Sequence, residues 1–150
     1  MSTEKNKTIM MKIINATNTG DSSRLHDVIR DVVADDFVGH VAGTPDYHGP
    51  DGFMEALDLH HSAFSDMGIE VVDQIAEGDL VMTYYVWTGT HADPSLGIPP
   101  TGRRVSVPTV GIARFRDGKL VENTDIWDNL YVYQQLGADV DIKVPEAKTS

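Results

Sequence analysis

One Asp-Gly pair, Asp117-Gly118, does most to limit how this chain can fold. It stands between two runs of strand-like residues, 104–116 and 119–127. An Asp-Gly pair between such runs is a strong signal of a β-hairpin. The returning run carries a carboxylate, Asp125, among apolar and β-branched neighbours. Because a carboxylate in a half-buried strand is unfavourable unless it is solvated, paired or used, Asp125 is the first candidate functional residue.

The register of this hairpin decides which side chains share a face with Asp125, since a slip of one residue reverses every side chain. A two-residue turn places Asp125 opposite Val110, and a three-residue turn over 116–118 with a glycine bulge places it opposite Thr109. We favour the second register. The predicted pocket face then carries Val105, Val107, Thr109, Gly111, Ala113, Phe115, Asn123, Asp125 and Trp127. The opposite face, exposed or in contact with another subunit, carries Arg104, Ser106, Arg114, Arg116, Glu122 and Thr124.

Three helical patterns precede the strands. The first begins at Ser2 or Thr3 and stops at Gly20, the second begins at Asp21 or Ser22, and the third has Pro50 in its first turn. A short extended piece over 36–40 and a loop over 41–49 separate the second helix from the third. Further predicted elements are strands over 69–76 and 80–90, a loop over 91–102 and a short helix over 130–136.

Helices followed by consecutive hairpins predict an α+β fold in a single domain over 1–150, with an ordered core over about 4–138 and a polar C-terminal tail. We expect a cone: a strongly curved antiparallel β-sheet wrapped around the N-terminal helices, with an interior pocket. Such pockets usually hold small ligands.

Charge and composition narrow the classes of partner. With 12 basic and 23 acidic residues the formal charge is −11, which disfavours nucleic acid and anionic membranes. The chain has no cysteine, and its six histidines lack the spacing of a metal site, so we expect neither metal nor cofactor. There is no signal-peptide pattern and no run of membrane-spanning length, so we predict a cytoplasmic protein.

Other candidate residues lie near the predicted pocket. His60 shares an apolar stripe of the third helix with Phe53, Leu57 and Phe64, and it is either a core residue or a pocket residue. His40, between an apolar run and a loop, could close the pocket mouth. On the strand over 80–90, Tyr85 and Trp87 share one face and either pack in the core or stack on a flat ligand.

Asp125 has two interpretations. In a pocket, loss of solvent would raise its pKa and make it a general base. Alternatively, it pairs with an arginine or caps a loop. Serine-nucleophile motifs are absent and no lysine is placed in the pocket, so an enzyme here would use carboxylate and imidazole acid–base catalysis without a cofactor.

Several short motifs occur in a fixed order along the chain. They are Phe37-Val-Gly-His40, Gly49-Pro-Asp-Gly52, Ala63-Phe-Ser-Asp66, Ala76-Glu-Gly-Asp79, Gly89-Thr-His91, Gly97-Ile-Pro-Pro-Thr-Gly102, Arg114-Phe-Arg-Asp-Gly-Lys119 and Trp127-Asp-Asn-Leu130. Through them the chain, from about Ile9 to Gly137, resembles the SnoaL-like polyketide cyclases of the nuclear-transport-factor-two-like superfamily.

The resemblance implies a cyclase or isomerase that closes a ring in a small hydrophobic carbonyl substrate by an intramolecular aldol reaction, without metal or organic cofactor. In such enzymes an aspartate on the last strand removes a proton, and Asp125 matches that position. The family's assisting histidine aligns with Gly111, so either His40 or His60 takes its role or the reaction differs. The polar residues expected to orient a carbonyl or enolate are Asn123, Thr109, His40 and His60.

The resemblance also implies a homodimer formed through the outer face of the sheet. Two alternatives stay open at this point. One is a non-catalytic domain of the same fold that only binds a small molecule, and the other is a cofactor-independent hydroxylase-like relative.

Overall fold

The computed structural model describes residues 2–94 and 97–148, and all statements below concern those residues. In chain order the elements are α1 (Thr3–Asn18), α2 (Ser22–Val32), β1 (Val33–Val41), β2 (Tyr47–His48), α3 (Gly49–Ala63), β3 (Gly68–Glu77), β4 (Leu80–Thr90), β5 (Arg104–Arg116), β6 (Lys119–Trp127) and α4 (Asn129–Gln135). Among the described residues, the strands form one curved, unclosed sheet in the order β2-β1-β6-β5-β4-β3. The predicted cone-shaped α+β fold is confirmed.

The helices begin where their capping residues predict. The Ser2 hydroxyl accepts a hydrogen bond from the Lys5 backbone N–H at 3.2 Å, and the Asp21 carboxylate accepts one from the Arg24 N–H at 3.2 Å. Each cap satisfies a backbone donor that the helix cannot pair internally. Pro50 lies in the first turn of α3. No described helix is long and apolar enough to cross a membrane.

Strand β1 is longer than the predicted piece over 36–40, because it begins at Val33, directly after α2 ends. It pairs in parallel with β6, and every other neighbouring pair in the sheet is antiparallel. This pairing sets Gly39 beside Asn123 and Val41 beside Asp125. Distant segments of the chain are thereby joined around the middle of β6.

The β5–β6 hairpin corrects both registers considered from the sequence. Its turn has two residues, since Arg116 pairs with Lys119 and both Asp117 and Gly118 have positive φ angles of 51° and 77°. A bulge at 121 then shifts the pairing by one residue, so that Asp125 lies opposite Gly111, neither opposite Thr109 nor opposite Val110. Relative to the favoured prediction, the shorter turn and the bulge together displace the register by two residues. A displacement of two keeps the same side chains on the same face, so the predicted pocket face of β5 is the buried one.

Two groups of buried apolar side chains fill the interior. The first lies where α1, α2 and β1 pack against the rest of the sheet. It includes Leu25, Ile29, Phe37, Phe53, Val81 and Leu120. The second lies between α3, α4 and the other end of the sheet and includes Phe64, Met67, Trp87, Val105, Val107 and Leu136. A cavity opens beneath α3, where the two groups meet. Leu57 packs against both groups and lines this cavity.

Within the loop predicted over 91–102, residues 95 and 96 lie outside the described residues. Its base is fixed by His91, which is buried and accepts a hydrogen bond from the Thr101 backbone N–H at 3.2 Å. The Gly102 N–H also donates to the His91 carbonyl at 3.0 Å. His91 is therefore a structural residue of this connection, and Phe64 packs against its ring.

Candidate active site

The candidate site is a cavity of about 710 Å³ between α3 and the buried face of the sheet. Its walls are mainly apolar and aromatic, and they include Tyr47, Phe53, Leu57, His60, Phe64, Met67, Tyr85, Trp87 and Trp127. The carboxylates bordering it are Asp46, Glu55 and Asp125, and no described lysine or arginine lines it. A site of this composition suits a flat, hydrophobic and uncharged ligand.

Asp125 lies on the wall of this cavity, near the end of β6. Its Oδ1 accepts a hydrogen bond from the Tyr85 hydroxyl at 3.1 Å, and its Oδ2 accepts one from the Asn123 amide at 3.0 Å. Burial raises the pKa of Asp125 from the ordinary 3.8 to about 6, and the two hydrogen bonds act in the opposite direction. Asp125 is half-buried and borders the cavity, so a ligand in the cavity can reach the carboxylate. No described arginine or lysine pairs with it.

The Tyr85 hydroxyl reaches Asp125 because β5 carries a glycine between them. Tyr85 lies on β4, and its side chain must pass over β5 to reach β6. A Cβ atom at Gly111 would lie 3.0 Å from Asp125 Oδ1 and 3.5 Å from Tyr85 Cε1. Burial and the charge of Asp125 raise the pKa of Tyr85 well above its ordinary value, so the phenol stays protonated and donates.

A second tyrosine, Tyr47, approaches from the other side of β6 and was missed by the sequence interpretation. A Cβ atom at Gly39 would lie only 2.0 Å from Tyr47 Cζ, so the phenol ring covers this glycine. Because Gly39 pairs with Asn123, the ring lies next to the site. The pair of strand glycines, Gly39 and Gly111, was the available sequence signal, since glycine inside a strand often marks a close approach of other groups.

His60 lines the cavity as a neutral imidazole. Its Nδ1 donates to the Ala56 carbonyl at 2.9 Å, which leaves Nε2 as the acceptor. Burial lowers its pKa, outweighing the effect of that hydrogen bond. The ring is held edge-on by Trp87 at 6.4 Å and Trp127 at 5.5 Å between centroids.

His40 does not lie in the cavity, contrary to the expectation that it closes the mouth. Its side chain projects from the opposite face of β1, where Nδ1 contacts Asp46 at 2.8 Å and Nε2 contacts Glu122 at 3.3 Å. The hydrogen bond to Asp46 is the main cause that raises the pKa of His40. The alternation of side chains along β1 explains the difference, because Gly39 is the residue that faces inward.

The other predicted site residues divide into two groups. Six line the cavity: Phe53, Leu57, Phe64, Tyr85, Trp87 and Trp127. Thr109, Gly111 and Asn123 are buried behind its surface, and the Thr109 hydroxyl donates to the Val107 carbonyl at 3.2 Å. Thr109 is therefore placed to support β5 more than to contact a ligand. The binding and catalytic roles of all these residues stay predictions.

No group of three or more histidine, aspartate or glutamate side chains is arranged to hold a metal ion within 2–94 and 97–148. Acid–base chemistry by Asp125, with phenol and imidazole groups around it, is what the arrangement of side chains can support directly.

Comparison with known proteins decides the family. The family model described as "SnoaL-like polyketide cyclase" matches residues 7–136, which include the cavity and Asp125. The chain belongs to this family. The resemblance noted from the short motifs is thus confirmed.

Three similar proteins of Streptomyces can be compared with this SnoaL-like chain. It is 29% identical to the aklanonic acid methyl ester cyclase DnrD of Streptomyces peucetius over 130 residues, which cover 86% of this chain and 88% of DnrD. It is 31% identical to IdmH of Streptomyces antibioticus, provisionally described as a polyketide cyclase, with a TM-score of 0.74 and coverage of 88% and 98%. AclR of Streptomyces galilaeus, provisionally described as a hydroxylase, is 29% identical with a TM-score of 0.78 and coverage of 97% and 87%.

This SnoaL-like chain has Gly111 where the resemblance implies an assisting histidine. The expected alternatives were that His40 or His60 takes its role or that the reaction differs. His40 is held on the outer face, and the hydrogen bond to Asp125 comes from Tyr85. Gly111 is thus the residue whose missing side chain gives Tyr85 access to the carboxylate.

Proposed function

We propose that this protein is an acid–base cyclase that closes a ring in a small, hydrophobic carbonyl compound by an intramolecular aldol-type reaction, with Asp125 as the general base. The observation that carries the proposal is an unpaired carboxylate of raised pKa, held by two hydrogen bonds on the wall of a large aromatic cavity. Membership of the SnoaL-like polyketide cyclase family supports it.

The reaction balances without an added oxidant or cofactor. Ionised Asp125 takes a proton from the carbon between two activating groups, and the resulting enolate carbon attacks a second carbonyl carbon of the same molecule. A carbon–carbon bond forms, the second carbonyl becomes an alkoxide, and the proton held on Asp125 returns to that oxygen. The base is regenerated, and substrate and product have the same mass.

The charges around the cavity favour a substrate without a free carboxylate. Asp46, Glu55 and Asp125 all border the cavity, and the chain carries a formal charge of −11. A substrate carboxylate would meet this negative field in a poorly solvated site. The relative DnrD is named for a methyl ester, which has no such charge. We therefore propose an esterified aromatic polyketide as the substrate class.

The pH dependence of turnover tests the proposed base. Because Asp125 must be ionised, kcat/KM for a methyl-ester substrate is expected to rise with pH through about 6 and then level off. The matching free acid is the control substrate, and we expect it to react more slowly. A profile that is flat between pH 4 and 8 would contradict the assignment of the base.

A hydroxylase function is the second candidate, favoured by the likeness to AclR. Mass spectrometry of the product separates the two reactions. Cyclisation leaves the mass unchanged, whereas hydroxylation adds the mass of one oxygen atom and requires an oxidant. Tight binding of the methyl ester with no product would instead indicate a non-catalytic binding domain.

We further propose that two copies of the chain associate through the outer face of the sheet. Large apolar side chains are exposed on that face, with Ile75, Met82, Tyr84 and Ile126 between 39% and 65% accessible. An apolar patch of this kind on a soluble domain is typical of a contact surface.

Sedimentation analysis tests the dimer. The unmodified chain is expected to be dimeric at micromolar concentration, and the double variant Met82→Glu/Ile126→Glu is expected to be monomeric, because four carboxylates would be placed in the contact. The matched control is Ile142→Glu, which alters an isoleucine of the C-terminal tail that is still more exposed than Ile126. A monomeric unmodified chain would refute the proposal.

A further inference from the structure

We infer that Tyr47 is a further catalytic residue, whose hydroxyl donates a hydrogen bond to the substrate oxygen on which negative charge develops, while Tyr85 holds Asp125 in place. The inference rests on the proposed function, since it assigns a second role in the same site.

The two glycines lie on either side of β6 at neighbouring positions. Gly39 on β1 pairs with Asn123, and Gly111 on β5 pairs with Asp125. Each gives room for a tyrosine that comes from the next strand outward, Tyr47 from β2 and Tyr85 from β4. Two phenol rings therefore cross the neighbouring strands from opposite sides and approach the same carboxylate.

The two phenols have different surroundings. The Tyr85 hydroxyl and the Asn123 amide supply the two hydrogen bonds that Asp125 receives, at 3.1 and 3.0 Å. The Tyr47 hydroxyl is not needed to hold the carboxylate; its oxygen is contacted by the Asn123 amide, which acts as a donor, and its side chain borders the cavity. A donor at this place is available to a ligand oxygen.

The Tyr47 ring is fixed before any ligand arrives. Phe37 and Phe53 pack against it at centroid distances of 5.8 and 5.7 Å, and its Cζ atom lies over Gly39. A donor that is already oriented stabilises developing charge without rearranging during the reaction. Gly39 is thus explained as the residue that allows this placement, since any side chain there would meet the ring.

The movement of negative charge during the reaction strengthens the hydrogen bond that Tyr47 donates to the substrate oxygen. Before proton transfer the negative charge is on Asp125, and afterwards it is on the substrate oxygen. Burial and the charge of Asp125 raise the pKa of Tyr47, so its proton is retained at neutral pH, while the neighbouring Asn123 amide acts in the opposite direction. His60 at the cavity wall is neutral. The other titratable groups there are Asp46, His48, Glu55 and Tyr85. A hydrogen bond that strengthens as charge moves to the substrate accelerates the reaction.

Turnover of Tyr47→Phe is the first measurement. We expect kcat to fall by roughly 10²-fold with little change in KM, the usual scale for loss of one oriented donor to a developing oxyanion. Tyr131→Phe is the matched control, because it removes a hydroxyl from an exposed tyrosine of α4 that does not line the cavity. Phenylalanine keeps the contacts of the Tyr47 ring, so the variant is expected to fold.

Binding of a nitrophenol whose absorbance reports its ionisation is the second measurement, and it does not depend on turnover. In Asp125→Asn, which mimics the neutral acid after proton transfer, we expect the phenolate form to bind. The double variant Asp125→Asn/Tyr47→Phe should bind it at least about 10-fold more weakly, and Asp125→Asn/Tyr131→Phe should bind it as tightly as Asp125→Asn alone.

The outcomes separate the two proposals. Undiminished phenolate affinity without the Tyr47 hydroxyl, or no phenolate binding by Asp125→Asn, would overturn the role of Tyr47, whatever the turnover measurements give. Full turnover by Asp125→Asn would instead remove Asp125 as the base, and the phenolate measurement would still report on Tyr47.

Discussion

Asp125→Asn is expected to lower kcat by roughly 10²-fold or more, the usual contribution of a positioned general base. Among the described residues at the cavity wall, Asp125 is the only carboxylate whose pKa is raised to about 6 and which two hydrogen bonds hold in place. The substitution removes this carboxylate. Measurement of ring closure under single-turnover conditions, with product identified by mass and retention, gives the rate of the chemical step itself.

The variant should keep its fold, which makes the loss interpretable. An asparagine oxygen at 125 can still accept from the Tyr85 hydroxyl. Its amide can donate to Asn123 if the Asn123 side chain rotates, and the Asn123 Oδ1 atom is buried without a partner in the unmodified protein. Asp73→Asn, on the exposed part of β3, is the matched control and should leave turnover unchanged. Equal rates for Asp125→Asn and the unmodified chain would end the assignment.

The local signals of the hairpin predicted its strands and faces well, but they did not predict its register. An Asp-Gly pair and alternating apolar residues are properties of neighbouring positions, and the structure agrees with them. The bulge at 121 has no such local signal, because it results from packing between strands. The shorter turn and the bulge each displace the register by one residue in the same direction, and a displacement of two residues keeps the predicted face although the residue opposite Asp125 is Gly111 and not Thr109.

The same distinction applies to the site. Apolar stripes predicted the cavity walls contributed by α3 and β4, since these follow helical and strand periodicity. The position of Tyr47 depends on the parallel pairing of β1 with β6, which joins segments more than 80 residues apart. The same pairing decides which face of β1 lies inward, and alternation along the strand then places His40 on the outer face, toward Asp46 and Glu122. Neither result follows from a local pattern.

Asp125→Asn is also expected to stabilise the folded protein at neutral pH. Burial raises the pKa of Asp125 from 3.8 to about 6 in the folded state, so the folded state binds more protons than the unfolded state between these values. The free energy of unfolding contributed by this group therefore falls as pH rises through about 4 to 6, and the full destabilisation remains at higher pH. Each unit by which the folded-state pKa of Asp125 exceeds the unfolded one corresponds to about 1.4 kcal/mol. Because the carboxylate borders the cavity, contact with solvent reduces this destabilisation. We therefore expect the variant to gain about 1–3 kcal/mol in the free energy of unfolding.

Urea unfolding at pH 4 and pH 8 measures this effect as a difference between the two proteins. The other groups with displaced pKa values, such as His40, Asp36 and Asp66, are present in both proteins, so their contributions cancel. The variant should gain stability at pH 8 and little at pH 4. A gain of equal size at both values would mean that asparagine improves packing, and no gain at pH 8 would mean that the carboxylate is well solvated. A pH-dependent gain would instead show that the protein retains, at a measurable loss of stability, the same carboxylate that we propose as the general base.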